Sequence, residues 1–265
     1  MEVMIENKKP EDSILNSGVP NMSRIYFMEA KSEILRVLRT PGFLVPSLIF
    51  PIMFYTFFGV IFTMSPDMPT YMLATYGTFG VIGPALFSFG VGIAIERGQG
   101  WFDIKEVSPM PASAYILARI AVTFFFSLCT VILLFSVGSI FGGVQLQMTQ
   151  WLLLATVLIF GSLPFCAIGL ALGLYLSSSS APAVVNLIYL PMSFLSGLWV
   201  PITLFPGLLQ TAANFLPPYH LAQLSLKVVE MDIGASVILH IAVLSAYFMV
   251  FMMLAGQAYY LKDKS

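Results

Sequence analysis

The chain has 265 residues, of which 58% are hydrophobic and 9% are charged, with a mean hydropathy of +0.89 and a net charge of −1. Soluble domains carry about 25% charged residues, so the composition places the chain in a lipid bilayer. The near-neutral charge argues against nucleic acid as a partner. Cys129 and Cys166 lie in apolar runs without further ligands at metal spacing, so neither a disulfide nor a metal site is expected.

Residues 1–21 have the polar composition of a flexible tail, and residues 22–42 predict an amphipathic helix. An apolar stripe runs along one side of this helix, and we expect the opposite side to face water. A helix of this kind lies in the headgroup layer. Its polar side either only anchors the chain or also contacts a soluble partner. The interfacial polar residues are Glu29, Glu33, Arg36 and Arg39.

Six apolar stretches are long enough to cross a bilayer, for which about 20 residues are needed. They form a permease domain over residues 43–261, and residues 262–265 are a short tail. The sequence therefore predicts an all-α membrane protein with six transmembrane helices and both termini on one side. Eleven of the twelve basic residues fall on that side, which the positive-inside rule makes cytoplasmic. The predicted spans are residues 43–64, 71–95, 115–141, 151–176, 181–198 and 233–261.

A charged segment, residues 96–114, interrupts the apolar pattern between the second and third spans. It is longer than the 2–8 residues that join antiparallel helices, and it predicts a short cytoplasmic helix held between turns. An ordinary solvated loop is the alternative; docking of a soluble partner is the hypothesis that we favour. Arg119, at the start of the third span, is expected to snorkel to the interface. The candidate contact residues are Glu96, Arg97, Gly100, Asp103, Lys105, Glu106, Pro109 and Pro111.

Residues 199–232 are too apolar for an exposed loop and too rich in proline for one spanning helix. We predict two short helices, roughly residues 207–215 and 219–229, dipping into the outer leaflet as a re-entrant hairpin or a simple lid. We interpret His220 as a polar group at a helix start rather than as a ligand. The residues assigned to this outer segment are Gly197, Pro201, Pro206, Pro217, Pro218 and His220.

The sequence of the spans shows no group that could couple transport to a proton or ion gradient. We expect no acidic or basic residue within them, and we interpret His240 as hydrogen-bonded packing rather than as a proton relay. Gly169 and Gly173 form a GxxxG pair that allows close helix contact. The chain has no phosphate-binding GxxxxGK[ST] motif, so an enzyme is poorly supported and energy must come from a partner.

From about residue 22 to residue 261 the chain resembles the type-2 ATP-binding-cassette (ABC) exporter permeases. The resemblance rests on the amphipathic first helix, the Glu96-Arg97…Gly100…Pro109…Pro111 segment, and the Ser196-Gly197…Pro201…Pro206…Pro217-Pro218 segment. It implies a dimer, either of this chain or with a related permease. It also implies separate nucleotide-binding subunits that bind ATP and Mg and dock on residues 96–114 as a coupling helix. No cofactor is expected on this chain itself.

The sequence thus predicts a permease subunit of an ATP-driven exporter in a bacterial inner membrane, surrounded by lipid. A hydrophobic drug-like molecule or a lipid suits spans rich in Phe, Met and Tyr. A lipid-linked polysaccharide exporter, or a membrane scaffold or assembly protein without transport of its own, are the alternatives. The candidate pathway residues are Phe54, Tyr55, Phe58, Asn186 and Tyr189.

Overall fold

The computed structural model describes residues 22–39, 41–101 and 111–262, and the side chains within these ranges except those of 41–47, 112 and 260–262. Over the described ranges the chain is helical and contains no β-strand, as the sequence predicts. Among the described residues, four helices are long and apolar enough to cross a membrane: Met68–Gly98, Ser113–Ile140, Met148–Tyr175 and Val237–Tyr259. Two shorter apolar helices, Leu48–Ile61 and Ala181–Leu195, lie at the positions of the predicted first and fifth spans.

The first two helices differ in their surroundings. Helix α1, Met22–Leu38, packs along α4, defined below. Helix α2, Pro41–Phe54, begins at a proline, which needs no N–H partner in the first turn of a helix, and continues as a π-helix over Tyr55–Ile61. The prediction that the charged side of α1 faces water is wrong at Glu33, which is buried.

Helix α3, Met68–Gly98, is the most buried of these four long apolar helices. It widens into a π-helical segment at Phe87–Val91, just after Pro84, which has no N–H to donate to the helical ladder. The GxxxG prediction is confirmed here. An added Cβ would lie 2.9 Å from Phe89 Cβ at Gly169 and 2.5 Å from the Phe89 carbonyl oxygen at Gly173. Only glycine permits this approach to the π-helical segment.

Helix α4, Ala112–Ile140, precedes α5, Met148–Phe160, and α6, Leu163–Tyr175. The predicted span over residues 151–176 agrees with the structure, in which α5 and α6 form one apolar segment, Met148–Tyr175, with a two-residue turn at 161–162. Pro164 lies in the first turn of α6, and Leu221 occupies the space beside Gly161, where an added Cβ would lie only 2.1 Å from a leucine methyl.

The last part of the chain contains α7, Ala181–Leu195, a 3₁₀ turn at Ile202–Leu204, α8, Gly207–Ala213, α9, Pro217–Val228, and α10, Val237–Lys262. No end of α8 or α9 differs by more than two residues from the predicted bounds. Gly197 has φ of +76° and packs against Ile202, so glycine is required where the chain leaves α7.

The bundle has two ends. Arg97, near the end of α3, donates to the carbonyl of Leu176 at 2.7 Å, and Gly98 packs against Ser178, so the ends of α3 and α6 and the start of α7 lie together. We call this the charged end. At the opposite end, Gln150 at the start of α5 donates to the carbonyl of Val228 at the end of α9.

Candidate functional site

Five polar side chains meet at the charged end, where α1 crosses the end of α3 and the start of α4. Glu33 and Arg36 come from adjacent turns of α1, Glu96 from the last turns of α3, and Tyr115 and Arg119 from the first turns of α4. Spacings of three and four residues place each pair on one side of its helix. We call these five residues the ion-pair cluster.

Arg119 is the centre of the cluster, with a side chain only 2% exposed. One guanidinium nitrogen donates to Glu96 Oε1, the other donates to the carbonyl of Ser88 at 2.7 Å, and Nε lies 3.7 Å from Glu33 Oε2. The cation also lies 5.3 Å from the centre of the Tyr115 ring. A buried charge is tolerated only when it is paired and hydrogen-bonded, and these contacts provide both.

Glu96 is shared between two helices besides its own. Its Oε2 accepts from the Tyr115 hydroxyl at 2.7 Å, and its Oε1 accepts from both Arg119 and Arg36. Arg36 also donates to Glu33 at 2.7 Å. Two carboxylates and two guanidinium groups therefore balance in charge. The cluster joins α1, α3 and α4 at the point where the chain enters and leaves the charged segment.

A cavity of about 310 Å³ adjoins the cluster between α1 and the π-helical part of α3. Its walls are mainly apolar, with Phe87, Val91 and Ile95 among them, and Arg36, Glu96 and Arg119 at its edge. Ser88 Oγ is buried without a hydrogen-bond partner among the described residues. The π-helical widening of α3 therefore coincides with space in the packing.

The structure separates the candidate contact residues of the charged segment. Glu96 is buried and Arg97 donates to Leu176, so both side chains are engaged within the chain. Gly100 has φ of +75°, a conformation that favours glycine, and Pro111 is the residue before α4. Four further predicted contact residues lie outside the described residues: Asp103, Lys105, Glu106 and Pro109. Any direct contact of Glu96 with a partner would first require the ion-pair cluster to open.

Helix α1 is fastened to α4 rather than lying apart from the bundle. The Tyr26 hydroxyl is 2.8 Å from that of Ser113, and Glu33 reaches Arg119. Glu29 is half-buried on the same side, while Arg39 is exposed. Large apolar side chains of α1, including Phe27 and Leu38, are exposed instead. The side of α1 that packs against the bundle thus includes its acidic residues Glu29 and Glu33 as well as apolar residues.

Aromatic rings form a second cluster between α2, α3, α7 and the segment that follows α7. Phe54 stacks on Tyr76 and on Trp199, with ring centres 6.4 and 6.1 Å apart, and Phe79 stacks on Tyr189 at 5.0 Å. Neighbouring rings extend the contacts. We call the whole set the aromatic cluster; it comprises Phe54, Phe58, Tyr76, Phe79, Phe87, Tyr189, Phe194, Trp199 and Phe205.

The predicted pathway residues divide between two places. Phe54, Phe58 and Tyr189 meet in the aromatic cluster, where the Tyr189 hydroxyl donates to the carbonyl of Phe79 at 3.0 Å. Tyr55 does not join them: its buried hydroxyl lies against Gly138 of α4 and Gly142 just after that helix. Asn186 is exposed and donates to the carbonyl of Pro182 in its own helix. The structure therefore groups three of the five residues.

Helix α9 is packed inside the bundle. Pro217 and Pro218 form its first turn, and Ser225 lies 3.3 Å from Thr78 of α3. Pro201 and Pro206 lie just before the 3₁₀ turn and α8. His220 is at the helix start, as predicted, and its ring is 2.8 Å from that of His240 in α10. Burial lowers the pKa of His220, and the hydrogen bond to the Asn214 carbonyl opposes this shift.

Sequence reasoning missed two residues that organise these sites. Arg119 was expected to snorkel outward, and the spans to hold no charge; both expectations are wrong, because Glu96 and Ser88 hold its guanidinium inside the bundle. Trp199 was assigned only to the outer segment, yet its ring contacts Phe54, Phe79 and Phe194. For Arg119, the presence of Glu96 on the other side of the charged segment was a possible sequence signal. For Trp199, the sequence offered no such signal.

Over the described residues the chain is helical, with several apolar helices long enough to cross a membrane, which is the architecture of a helical membrane protein. The family model of the ABC-2 type transporters matches residues 26–229, and the chain belongs to this family. Over 228 residues it is 30% identical to a protein of Bacillus subtilis (strain 168) named "Putative transport permease YvfS", an alignment that covers 84% of this chain and 92% of that protein. The family predicted from the sequence motifs is confirmed, and the chain is a transporter permease subunit.

Proposed function

We propose that this permease exports a hydrophobic drug-like molecule or a lipid across a bacterial inner membrane, driven by ATP that a separate subunit hydrolyses. The aromatic cluster carries this proposal. It joins α2, α3, α7 and the segment that follows α7, and all its members are uncharged. Aromatic rings bind apolar and π-rich molecules through large contact areas and stacking. A cluster of them between membrane helices, with Phe58 and Phe194 partly exposed, suits a ligand that partitions into lipid.

Trp199 adds a polar contact to this surface. Its indole N–H is buried without a hydrogen-bond partner among the described residues. Leaving a buried donor unpaired costs about 1–3 kcal/mol, so a ligand carbonyl or hydroxyl that accepts from it would be favoured. Ester, amide and ketone groups are common in lipids and drug-like molecules. The pairing of apolar rings with one free donor is typical of small-molecule sites.

The ion-pair cluster supplies the route by which a motor acts on the bundle. It ties α1, α3 and α4 together at both ends of the charged segment. A nucleotide-binding subunit that docks on residues 96–114 and closes on ATP and Mg would therefore move three helices as one body. The segment would be the contact surface, and Glu96 and Arg119 would transmit the movement rather than touch the partner.

The membrane arrangement that fits this role has six spans, with α2 and α7 as the short ones, and both termini in the cytoplasm. The charged end would then face the cytoplasm, and α8 and α9 would form a re-entrant hairpin at the outer side. Most of α10 is exposed in the single chain. Lipid and a second permease copy, identical or related, would cover such a surface.

The test is reconstitution of the permease with its nucleotide-binding subunit in vesicles, followed by export of a fluorescent lipid and of a hydrophobic dye. We expect Trp199→Ala to reduce export of at least one substrate tenfold or more, equivalent to about 1.4 kcal/mol, while ATP hydrolysis continues. Phe141→Ala, at an exposed ring at the end of α4, is the matched control and should leave export unchanged. Equal export by the two variants would exclude the aromatic cluster from the pathway.

Charge reversal tests the docking assignment separately. Lys105→Glu combined with Glu106→Lys preserves net charge and avoids the ion-pair cluster. We expect this variant to insert normally but to lose stimulation of the ATPase. Unchanged ATPase and export would remove the charged segment from the docking surface. If the chain binds no ATPase at all, a membrane scaffold becomes the better description.

A lipid-linked polysaccharide is the second candidate, and the stacked rings are the observation that favours it, because sugars bind to aromatic faces. In this chain the faces of Phe54, Phe79 and Tyr189 are largely covered by other rings. Such mutual stacking suits a compact ligand better than a long glycan. Export of a lipid-linked oligosaccharide with no export of dye or simple lipid would reverse this preference.

A further inference from the structure

The chain contains two histidines, and they contact each other. His220 lies in the first turn of α9 and His240 in the first turn of α10, with 3% and 1% of their surfaces exposed. Their Nδ1 atoms are 2.8 Å apart, and the ring centres are 5.1 Å apart. The two rings fasten the start of α9 to the start of α10 at the end of the bundle opposite the ion-pair cluster.

The hydrogen bonds determine where the protons lie. His220 Nε2 is 2.9 Å from the carbonyl oxygen of Asn214, which can only accept, so this nitrogen carries the proton. Nδ1 of neutral His220 is then an acceptor, and His240 must donate to it from its own Nδ1. His240 Nε2 is left as a bare, buried nitrogen without a hydrogen-bond partner among the described residues. The neutral pair therefore consists of two different tautomers.

The pair can hold one further proton but not two. A first proton on His240 Nε2 leaves the hydrogen bond between the two Nδ1 atoms intact. A second proton must go to His220 Nδ1, the acceptor of that bond. Two N–H donors, both on cationic rings, would then point at each other across 2.8 Å. Like charges at this distance repel strongly in a buried site, so the contact must break.

The charged groups nearest in effect, Lys227 and Asp232, have opposite sign and already pair with each other. Lys227 of α9 donates to Asp232 at 2.7 Å and to the carbonyl of Ala235, so the nearest carboxylate is already paired. Tyr219 of α9, Tyr71 of α3 and Tyr247 of α10 face the region as phenols. Helix α5 contributes no ionisable side chain, and Glu230 is exposed beyond α9. Burial already lowers the pKa of His220 below its usual value.

We propose that His220 and His240 form a proton-operated latch, closed when the pair is neutral or singly protonated, which releases α9 from α10 when both rings are protonated. Because the released rings would titrate near the ordinary value of about 6.5, the open arrangement binds more protons than the closed one. The latch is therefore fully effective above about pH 6.5 and weakens as the pH falls below it. Each pH unit shifts the equilibrium toward release by up to about tenfold per proton.

The latch holds the whole segment between α8 and α10. The Tyr247 hydroxyl of α10 donates to the carbonyl of Phe215, and the Ile233 N–H, in the connection before α10, donates to Gln223 of α9. Neither of these contacts involves a group that titrates between pH 5 and 8. Among the described residues, the histidine pair is thus the one hydrogen bond between this segment and α10 whose groups titrate in this pH range. The latch depends neither on the substrate nor on an ATP-hydrolysing partner.

Nuclear magnetic resonance of the full chain, labelled with ¹⁵N-histidine in lipid nanodiscs, tests the pairing directly. Because the chain contains only two histidines, every ¹⁵N-histidine resonance comes from this pair. At about pH 7.5 we expect one Nδ1–H and one Nε2–H tautomer, with a nitrogen–nitrogen coupling across the hydrogen bond. Two rings of the same tautomer, or independent titration of both near pH 6.5, would overturn the proposal.

Hydrogen–deuterium exchange tests the release. Between about pH 7.5 and pH 5, after correction for intrinsic exchange, we expect protection of residues 217–228 to fall at least about tenfold in the native chain. The double variant His220→Asn, His240→Asn keeps a donor and an acceptor but cannot titrate, so its protection should not depend on pH. Residues 163–175 in α6 serve as the internal control. An equal loss of protection in both proteins, or none in the native chain, would refute the latch.

Discussion

Replacing Arg119 by methionine is the sharpest test of the ion-pair cluster. Methionine nearly matches the length of the arginine stem but removes the cation. Glu96 then keeps only the Tyr115 hydroxyl and Arg36, whose side chain is 46% exposed, and the Ser88 carbonyl loses its donor. Breaking a buried ion pair from one side costs about 3–5 kcal/mol, because the remaining charge stays buried. We therefore expect Arg119→Met to be among the most destabilising single changes in the chain.

Adding Glu96→Gln to Arg119→Met should restore part of the lost stability. Glu96→Gln removes the opposing charge while its side chain can still accept from Tyr115. In the double variant Arg119→Met, Glu96→Gln, neither charge is left uncompensated, and Glu33 still pairs with Arg36. Directly coupled residues show interaction energies of about 0.5–3 kcal/mol, so the double variant should regain about that much of the loss.

Thermal unfolding in detergent or nanodiscs provides the assay, with each protein at the same lipid concentration. One kcal/mol corresponds to about 2–4 °C in Tm for chains of similar size, so Arg119→Met should lower Tm by about 6–20 °C. Arg24→Met, at an exposed position on α1, is the control and should stay within about 0.5 kcal/mol of the native chain. A Tm for Arg119→Met within 2 °C of the native value would refute the reasoning, as would a double variant less stable than the single one.

Three further expectations concern other parts of the bundle. Gly173→Ala should cost about 1–3 kcal/mol, because the added Cβ meets the Phe89 carbonyl oxygen at 2.5 Å, whereas Gly256→Ala, with open space around it, should be neutral; thermal unfolding decides. Tyr189→Phe removes one buried hydrogen bond to Phe79 but keeps the ring stacking, so it should lower the free energy of unfolding by about 1 kcal/mol. A loss of export without a loss of stability would argue for a direct role of the Tyr189 hydroxyl in the pathway. Replacing Pro217 and Pro218 by alanine should impair export more than membrane insertion, and normal transport by the well-inserted variant would reduce this turn to packing.

Much of the architecture followed from patterns within single segments. The length of each apolar run and the proline positions predicted the helices, including α8 and α9 to within two residues. The Gly169 and Gly173 spacing predicted a close helix contact, although not its partner, the π-helical part of α3. Such features depend on local backbone chemistry, and neighbours along the chain report them well.

Contacts between distant segments were less accessible. Glu33 was expected to face water because it lies on the charged side of an amphipathic helix, yet Arg119 draws it into the bundle. The contact of Leu221 with Gly161, at the turn between α5 and α6, was not predicted either. In both cases the partner is more than 50 residues away, and periodicity within one helix does not reveal it.

The sequence by itself determined that the chain is a membrane permease, because composition, span length and the order of short motifs are properties of the chain alone. Only the tertiary structure decided what its polar residues do. In the folded chain Glu96 pairs with Arg119, and the two histidines pair with each other. The role of a buried charge or imidazole depends on the group that satisfies its hydrogen bonds, and that group comes from a distant segment. The charged segment between the second and third spans thus begins beside a packed ion-pair cluster, which no pattern along the chain had indicated.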